Sequence, residues 1–490
     1  MEKPAHSEIA AAAGAAQTHL APAQRWLAML GVGVGILMVT IDFSIINVSL
    51  PTLVREFSTN FATVQWVVLS YVLIITSLML GVARLGDMYG KKRLYSLGIL
   101  VFTAGSLFCG LASNVGWLIG ARAFQGLGGV MIQALGMAII TQVFPAEERG
   151  RALGVVGGIV SVGLALGPAL GGVIIGTIGW RWIFWVNVPL GLLCWLVVAR
   201  FVPSSPIKDQ GARFDSAGAL LLCAALTAYA LGMTFGQRMG FAEFLVLGLL
   251  AAAVIGVAFF IMVQHRVAAP TMNLSLFRDR LFGINLTMSF LIFITLGSSL
   301  VMPFFMDLVM GLSTMEMGLM MMVVPIGMGL ISPWSGWLTD RHGPRVISIL
   351  GLLVTVGACI AMTTVDKNVT VWGLMFRVLP LGMGLGLFQS PNNTAVMSAA
   401  PVKHLGVASG LLALSRTLGH TTGVPLAGAL FSAMVLAAAG LGAGALVTST
   451  SPEALVWGVR CVYGAAAGID LMAAVLAIAA WRIARKRRAE

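Results

Sequence analysis

Apolar runs of about 20 residues, the length that crosses roughly 30 Å of hydrocarbon, alternate with short polar stretches along most of the chain. The pattern predicts fourteen membrane helices, beginning near Trp26, Phe61, Leu94, Val115, Ala152, Trp182, Ser216, Phe241, Leu281, Thr314, Val346, Val369, Leu405 and Ala454. Ahead of them the first 24 residues are Ala-rich and polar. Glu2 and Glu8 spoil the basic start of a signal peptide and no apolar core follows, so this stretch reads as a disordered cytoplasmic arm. The expected fold class is an all-α polytopic membrane protein.

Composition sharpens that expectation. The 490 residues are 58% hydrophobic and 10% charged, which a soluble chain would have to bury almost entirely. The net charge of +12 would suit nucleic acid, but the bases sit between apolar spans and form no patch. With both termini inside, the cytoplasmic segments hold 22 of the 30 Lys and Arg residues, and the outer loops hold 5: Arg55, Arg181, Arg238, Lys367 and Arg460. That asymmetry is the positive-inside rule, and the inverted topology would violate it. The five cysteines are scattered singly and show no metal or disulfide spacing.

The chain repeats itself. Leu85, Asp87, Gly90 and Lys92 recur 253 residues later as Leu338, Asp340, Gly343 and Arg345, and Arg122 before a glycine-rich run recurs as Arg377. Two six-helix halves are duplicated around two extra spans, giving six plus two plus six. The expected organisation is an arm (1–24), an N-terminal bundle (25–202), a linker with two helices (203–280), a C-terminal bundle (281–482) and a basic tail (483–490) that can touch anionic lipid. Duplicated bundles with a midplane site between them permit alternating access, in which one half rocks against the other.

Between the second and third helices, Gly81, Asp87, Gly90, Lys91, Lys92 and Arg93 make a loop with glycine for a tight turn and an acid able to face a helix N-terminus. Asp340, Arg341, Gly343 and Arg345 repeat it, and the pair is a candidate cytoplasmic gate. In the fifth helix, Gly163, Gly167, Pro168, Gly171 and Gly172 set overlapping GxxxG steps around a proline, so that another helix can come close.

These loops resemble the signature loop of the major facilitator superfamily. Met88 stands where the pattern usually has a base, whereas Asp340-Arg341 keeps it. The stretches Ile41–Pro51, Arg122–Gly126 and Trp180–Gly191 resemble the fourteen-helix drug:proton antiporter branch. The helix-5 glycines resemble its antiporter motif, which implies export rather than uptake. The resemblance implies a monomeric, multi-pass protein of the bacterial cytoplasmic membrane, driven by a proton gradient without a cofactor or metal. Its expected partners are a small-molecule substrate, protons and lipids, with a periplasmic adaptor as an optional addition and no nucleic acid.

Charges inside membrane spans are costly, so each is a functional candidate. At about 1.5 Å per residue, Asp42 lies about 24 Å from the inside and Arg122 about 10 Å from the outside, which are similar depths. The expectation is that Asp42 takes up and releases a proton while Arg122 stabilises its carboxylate. Asp307, near the outer end of the first helix of the second half, is a further proton or cation site. Arg122, Gln125, Gly129 and Gln133 share one helical face, which should meet water or substrate. Phe43, Arg377, Gln389 and Asn392 are additional cavity candidates, and Arg416, His420 and Asp470 a candidate relay. Ser313 and Glu316 read as a capping box.

Three deep acids against three deep arginines leave the sign of the substrate open: hydrophobic or monovalent amphiphilic drugs, or an endogenous amphiphile such as a siderophore, lipid precursor or secondary metabolite. An intramembrane enzyme or a non-transporting sensor is the alternative from another class. No HExxH or GxGD motif supports the enzyme.

Overall fold

The computed structural model describes residues 21–144, 149–203, 215–266, 274–399, 405–441 and 450–489. Among these described residues the secondary structure is all helical, and fourteen helices are long and apolar enough to span a membrane. They are α1 (Pro22–Glu56), α2 (Phe61–Tyr89), α3 (Lys91–Gly110), α4 (Val115–Val143), α5 (Arg149–Thr177), α6 (Trp182–Phe201), α7 (Ser216–Met239) and α8 (Phe244–Arg266). The remainder are α9 (Arg280–Leu308), α10 (Thr314–Met321 continued by Val323–His342), α11 (Pro344–Met362), α12 (Val371–Ala399), α13 (Leu405–Ala438) and α14 (Pro452–Ala489). An even number of crossings returns the chain to its starting side. We call the opposite end of the bundle distal.

Side chains close the helix starts. Asn60 and Asn114 accept the backbone N–H groups of Thr63 and Trp117 at 2.9 and 2.8 Å, satisfying donors that a helix start leaves orphaned. Ser313 and Glu316 form the expected capping box on α10. The expected tail is not a separate segment, because α14 continues to Ala489 through the helix-forming run of Ala, Arg and Lys. At the other end, α1 begins at Pro22, inside the expected arm; residues 1–20 lie outside the described set.

Besides α10, which is interrupted at Met322, two of the described spans break. The α6 span divides into Trp182–Trp185 and Asn187–Phe201, with Pro189 withholding a backbone donor just after the break. In α9 a 3-10 turn at Gly297–Val301 interrupts the α-helix before Pro303.

Among the described residues, two apolar cores dominate over smaller clusters. One is built mainly from α1–α6 and contains Tyr71, Phe102, Ile132 and Phe184. The other, from α9–α14, contains Phe305, Leu352, Phe388 and Tyr463. Burial separates inner from outer helices: the apolar window of α1 is 67% buried and that of α9 72%, against 17% for α8. The α7 helix packs on α8, on α2 and on α13, and so touches both sets.

Candidate functional site

Asp42 of α1 and Arg122 of α4 meet inside the first set of helices, both side chains fully buried, with Arg122 Nη1 donating to Asp42 Oδ2 at 2.6 Å. One turn along α4, Gln125 completes a ring: its Oε1 accepts from Arg122 Nη1 at 2.7 Å and its Nε2 donates to Asp42 Oδ1 at 2.9 Å. Asn187, at the break in α6, donates to the same Oδ1 at 3.0 Å. From α3, Ser106 Oγ accepts from Gln125 Nε2 at 2.7 Å, and the Cys109 thiol donates to Gln125 Oε1 at 3.6 Å.

The guanidinium is fixed from α2 as well. Arg122 Nε donates to the Val67 carbonyl at 3.1 Å, and the Tyr71 ring lies 4.2 Å from the guanidinium carbon, a cation–π contact. Gly129 is required one turn on, because a Cβ there would come 2.7 Å from the Tyr71 hydroxyl. Five helices thus hold one ion pair. Burial of this kind is tolerated only when the charges are paired and hydrogen-bonded, and removing one partner costs about 3–5 kcal/mol.

The polar face of α4 therefore divides. Arg122 and Gln125 turn into the bundle and hydrogen-bond each other there, with Arg122 Nη2 buried without a partner among the described residues, whereas Gln133 is exposed. Asn187, Ser106 and Tyr71 escaped the sequence reading. Asn187 lies in a stretch that carried the family resemblance, and the other two are uncharged groups of a kind common in membrane helices.

Phe43, next to Asp42, looks toward the other half, where its ring meets His420 of α13 at 5.1 Å. Arg416, one turn before His420, donates to Asn393 of α12 and lies 5.5 Å from the Phe293 ring of α9. The Asn392 amide is buried without a hydrogen-bond partner, as is Nδ1 of His420. Gln389 reaches only the Met328 sulfur, at 3.9 Å. Arg377 stands apart, bonded to Thr364 Oγ1 at 3.2 Å and the Gly373 carbonyl at 2.9 Å near the distal end. Asp307 is paired with Arg55 of α1 at 2.9 Å, also distally.

Asp470 of α14 is fully buried and accepts from Thr295 Oγ1 at 2.7 Å and from the Cys359 thiol at 3.7 Å. Among the described residues, no hydrogen bond joins it to Arg416 or His420. The expected relay is thus two separate sites.

The glycine motif of α5 works on two faces. Gly163, Gly167 and Gly171 lie against α1, where a Cβ at Gly163 would meet Thr40 at 3.0 Å, one at Gly167 would strike Ser44, and one at Gly171 would meet Ile45 at 2.7 Å. Ser44 Oγ also donates to the Gly163 carbonyl at 3.2 Å. Gly172 and Pro168 face α10 of the other half, with the Gly172 Cα 3.0 Å from where a Cβ on Gly318 would stand.

In the candidate gate loops, Gly90 and Gly343 have φ of 96° and 81°, left-handed values that favour glycine, so both copies make the predicted tight turn. Lys92 Nζ caps α6 by donating to the Ala199 carbonyl at 2.9 Å, a cation at a helix C-terminus. Arg341 lies over the Trp337 ring, while Lys91, Arg93 and Arg345 flank the same turns and Gly81 has open space around it. The side chains of Asp87 and Asp340 lie outside the described set, and with them the latch expected of these loops.

Two packed sets of helices, an ion pair buried in one and a small-residue contact between them fit the architecture of a secondary transporter. The chain belongs to the Major Facilitator Superfamily, whose family model matches residues 32–424. It is 32% identical over 414 residues to the riboflavin transporter RibZ of Clostridioides difficile, covering 84% of this chain and 89% of that protein. It is also 32% identical over 413 residues to the multidrug resistance protein Stp of Mycobacterium tuberculosis, covering 84% and 76%. A bacterial homolog of the human lysosomal transporter Spinster, solved facing inward, shares the fold with a TM-score of 0.66 at 18% identity, covering 94% of this chain and 98% of that one. The kinship with the fourteen-helix drug-export branch stands, and the chain is a transporter rather than an enzyme.

Proposed function

We propose that the protein is a proton-coupled antiporter that exports hydrophobic or amphiphilic small molecules across the cytoplasmic membrane by alternating access, with both chain ends in the cytoplasm. The observation that carries this reading is the Asp42–Arg122 pair, sealed at 0% exposure. A proton bound to Asp42 cancels the charge that holds the guanidinium. The neutral carboxyl still accepts at one oxygen, but Arg122, Asn187 and Gln125 are then held by weaker hydrogen bonds to an uncharged group and can reorient more easily. Because α1 also carries Phe43 against His420 and the Ser44 ledge against α5, a shift in α1 is felt at the contact between the halves. The proton therefore biases which side the bundle opens to.

Orientation rests on the basic residues, 22 of 30 of which lie in segments on the side of the chain ends. Export is supported by the helix-5 glycines in their family setting and by relatives named for multidrug resistance. A second reading, export of an endogenous metabolite, is favoured by the similarity to a riboflavin transporter and by Arg416, which has no acid partner among the described residues. Proteoliposomes test both readings. An imposed pH gradient should drive uptake of ethidium, or of riboflavin under the second reading, and Asp42→Asn should abolish it. Gradient-driven pumping by Asp42→Asn would remove Asp42 from the coupling.

A further inference from the structure

The repeat relates two buried sites as well as two loops. The 253-residue spacing that carries Asp87 onto Asp340 also carries Asp42 onto Thr295 and Ser106 onto Cys359. Thr295 and Cys359 are the two side chains that hydrogen-bond Asp470. Each half thus buries one carboxyl among its first, third and sixth helices. In the first half the first helix supplies the acid and the sixth an amide, Asn187; in the second half the first supplies a hydroxyl and the sixth the acid. The arginine is the part not copied. Arg377, the counterpart of Arg122, turns to the Thr364 loop, and among the described residues Asp470 has no cation partner.

Every neighbouring element confirms that isolation. From α11, Asp470 faces the Cys359 thiol and the Thr355 hydroxyl, while Arg345 sits at the far end of that helix. From α9 it faces Thr295; Arg280 is at the opposite end, and Asp307 is engaged by Arg55. On α14 itself Tyr463 lies beside Cys359 and Ser298, and Arg460 is bonded to the Val365 carbonyl. From α13, Arg416 and His420 are engaged with Asn393 and Phe43 elsewhere. An ionised carboxylate enclosed this way has lost water and gained no counter-charge. A proton is the remaining neutralising partner.

We propose that Asp470, with Thr295 and Cys359, is a second proton-binding site of the transport cycle, loaded while Asp42 is held by Arg122. One conformational cycle then carries a proton on each half, each bound from water on one side and released to water on the other. This rests on the proton-coupled reading above, and two measurements separate the two claims. Infrared difference spectra of the reconstituted protein should show a protonated carboxyl band at neutral pH that Asp470→Asn removes and Asp42→Asn retains. With membrane voltage clamped to zero by valinomycin and potassium, a one-unit pH step should sustain an about tenfold smaller substrate gradient in Asp470→Asn than in the wild type, one proton fewer per cycle.

An unchanged band or an unchanged gradient in that variant overturns the assignment. If Asp470→Asn does not fold, Asp470→Glu keeps the carboxyl; it should sustain the wild-type gradient with a shifted pH profile of initial rate, and an unshifted profile overturns the proposal. If the wild type shows no gradient-driven accumulation, the antiporter reading falls, and the infrared band still decides whether Asp470 holds a proton.

Discussion

Asp42 takes three donors, Arg122, Gln125 and Asn187, on two oxygens, and none of the three can leave without exposing a buried group. Arginine matters here for shape as well as charge, because Nε serves the Val67 carbonyl while Nη1 serves both Asp42 and Gln125. An Arg122→Lys protein keeps the charge but cannot span those acceptors. It should lose about 1–3 kcal/mol, the cost of leaving buried partners unmade, read as a lower melting temperature in detergent. Asp42 and Arg122 were legible in the sequence because charge within an apolar run is expensive wherever it falls. Asn187, Ser106 and Tyr71 were not: Gln125 stands out by sharing a helical face with Arg122, whereas each of these three lies on a different helix with no charge beside it. Asp307 reads from the sequence as a proton or cation site near the outer end of its helix, and its partner Arg55 is far away in sequence, so that only folding brings them together.

At the scale of the helix, spacing was the more reliable guide. The fourteen expected starts fall within four residues of those observed, because the bilayer dictates the length of each apolar run. The breaks in α6 and α9 are not among the expected elements: Pro189 and Pro303 stand beside them, but hydropathy, which set the spans, does not register a change of hydrogen-bond pattern. The α5 glycines could be placed on a stripe, yet which neighbour each face meets depends on the tertiary arrangement. That arrangement makes a prediction. Gly167→Val would drive a side chain into Ser44 of α1, at a cost of about 1–3 kcal/mol of overpacking. It should lower the melting temperature and stop gradient-driven transport, whereas Gly176→Val, with open space at its Cβ position, should change neither.

Across the whole molecule, the two sets of helices are joined distally. Arg55 meets Asp307, Gly172 meets α10, and Gln65 Nε2 donates to the Val424 carbonyl at 3.4 Å. The Arg55–Asp307 pair has one side chain 59% exposed, so it contributes at most about 1 kcal/mol and can break in every cycle. Cysteines at positions 55 and 307 joined by a reducible cross-linker should halt transport, and reduction should restore it. Undiminished transport by the cross-linked protein would mean that this end never opens. The two flanks of the contact differ. Along α5 and α10 the halves touch through glycine and backbone, with no side-chain hydrogen bond between them among the described residues. Along α2 and α13 they are strapped by α7, whose Thr227 meets Ser77 at 3.2 Å and whose Tyr229 meets Thr422 at 2.6 Å. A door with one fastened edge swings about that edge. Under the proposed alternating access, the inserted pair would make α2, α7 and α13 the hinge and leave the glycine seam of α5 as the leaf that travels.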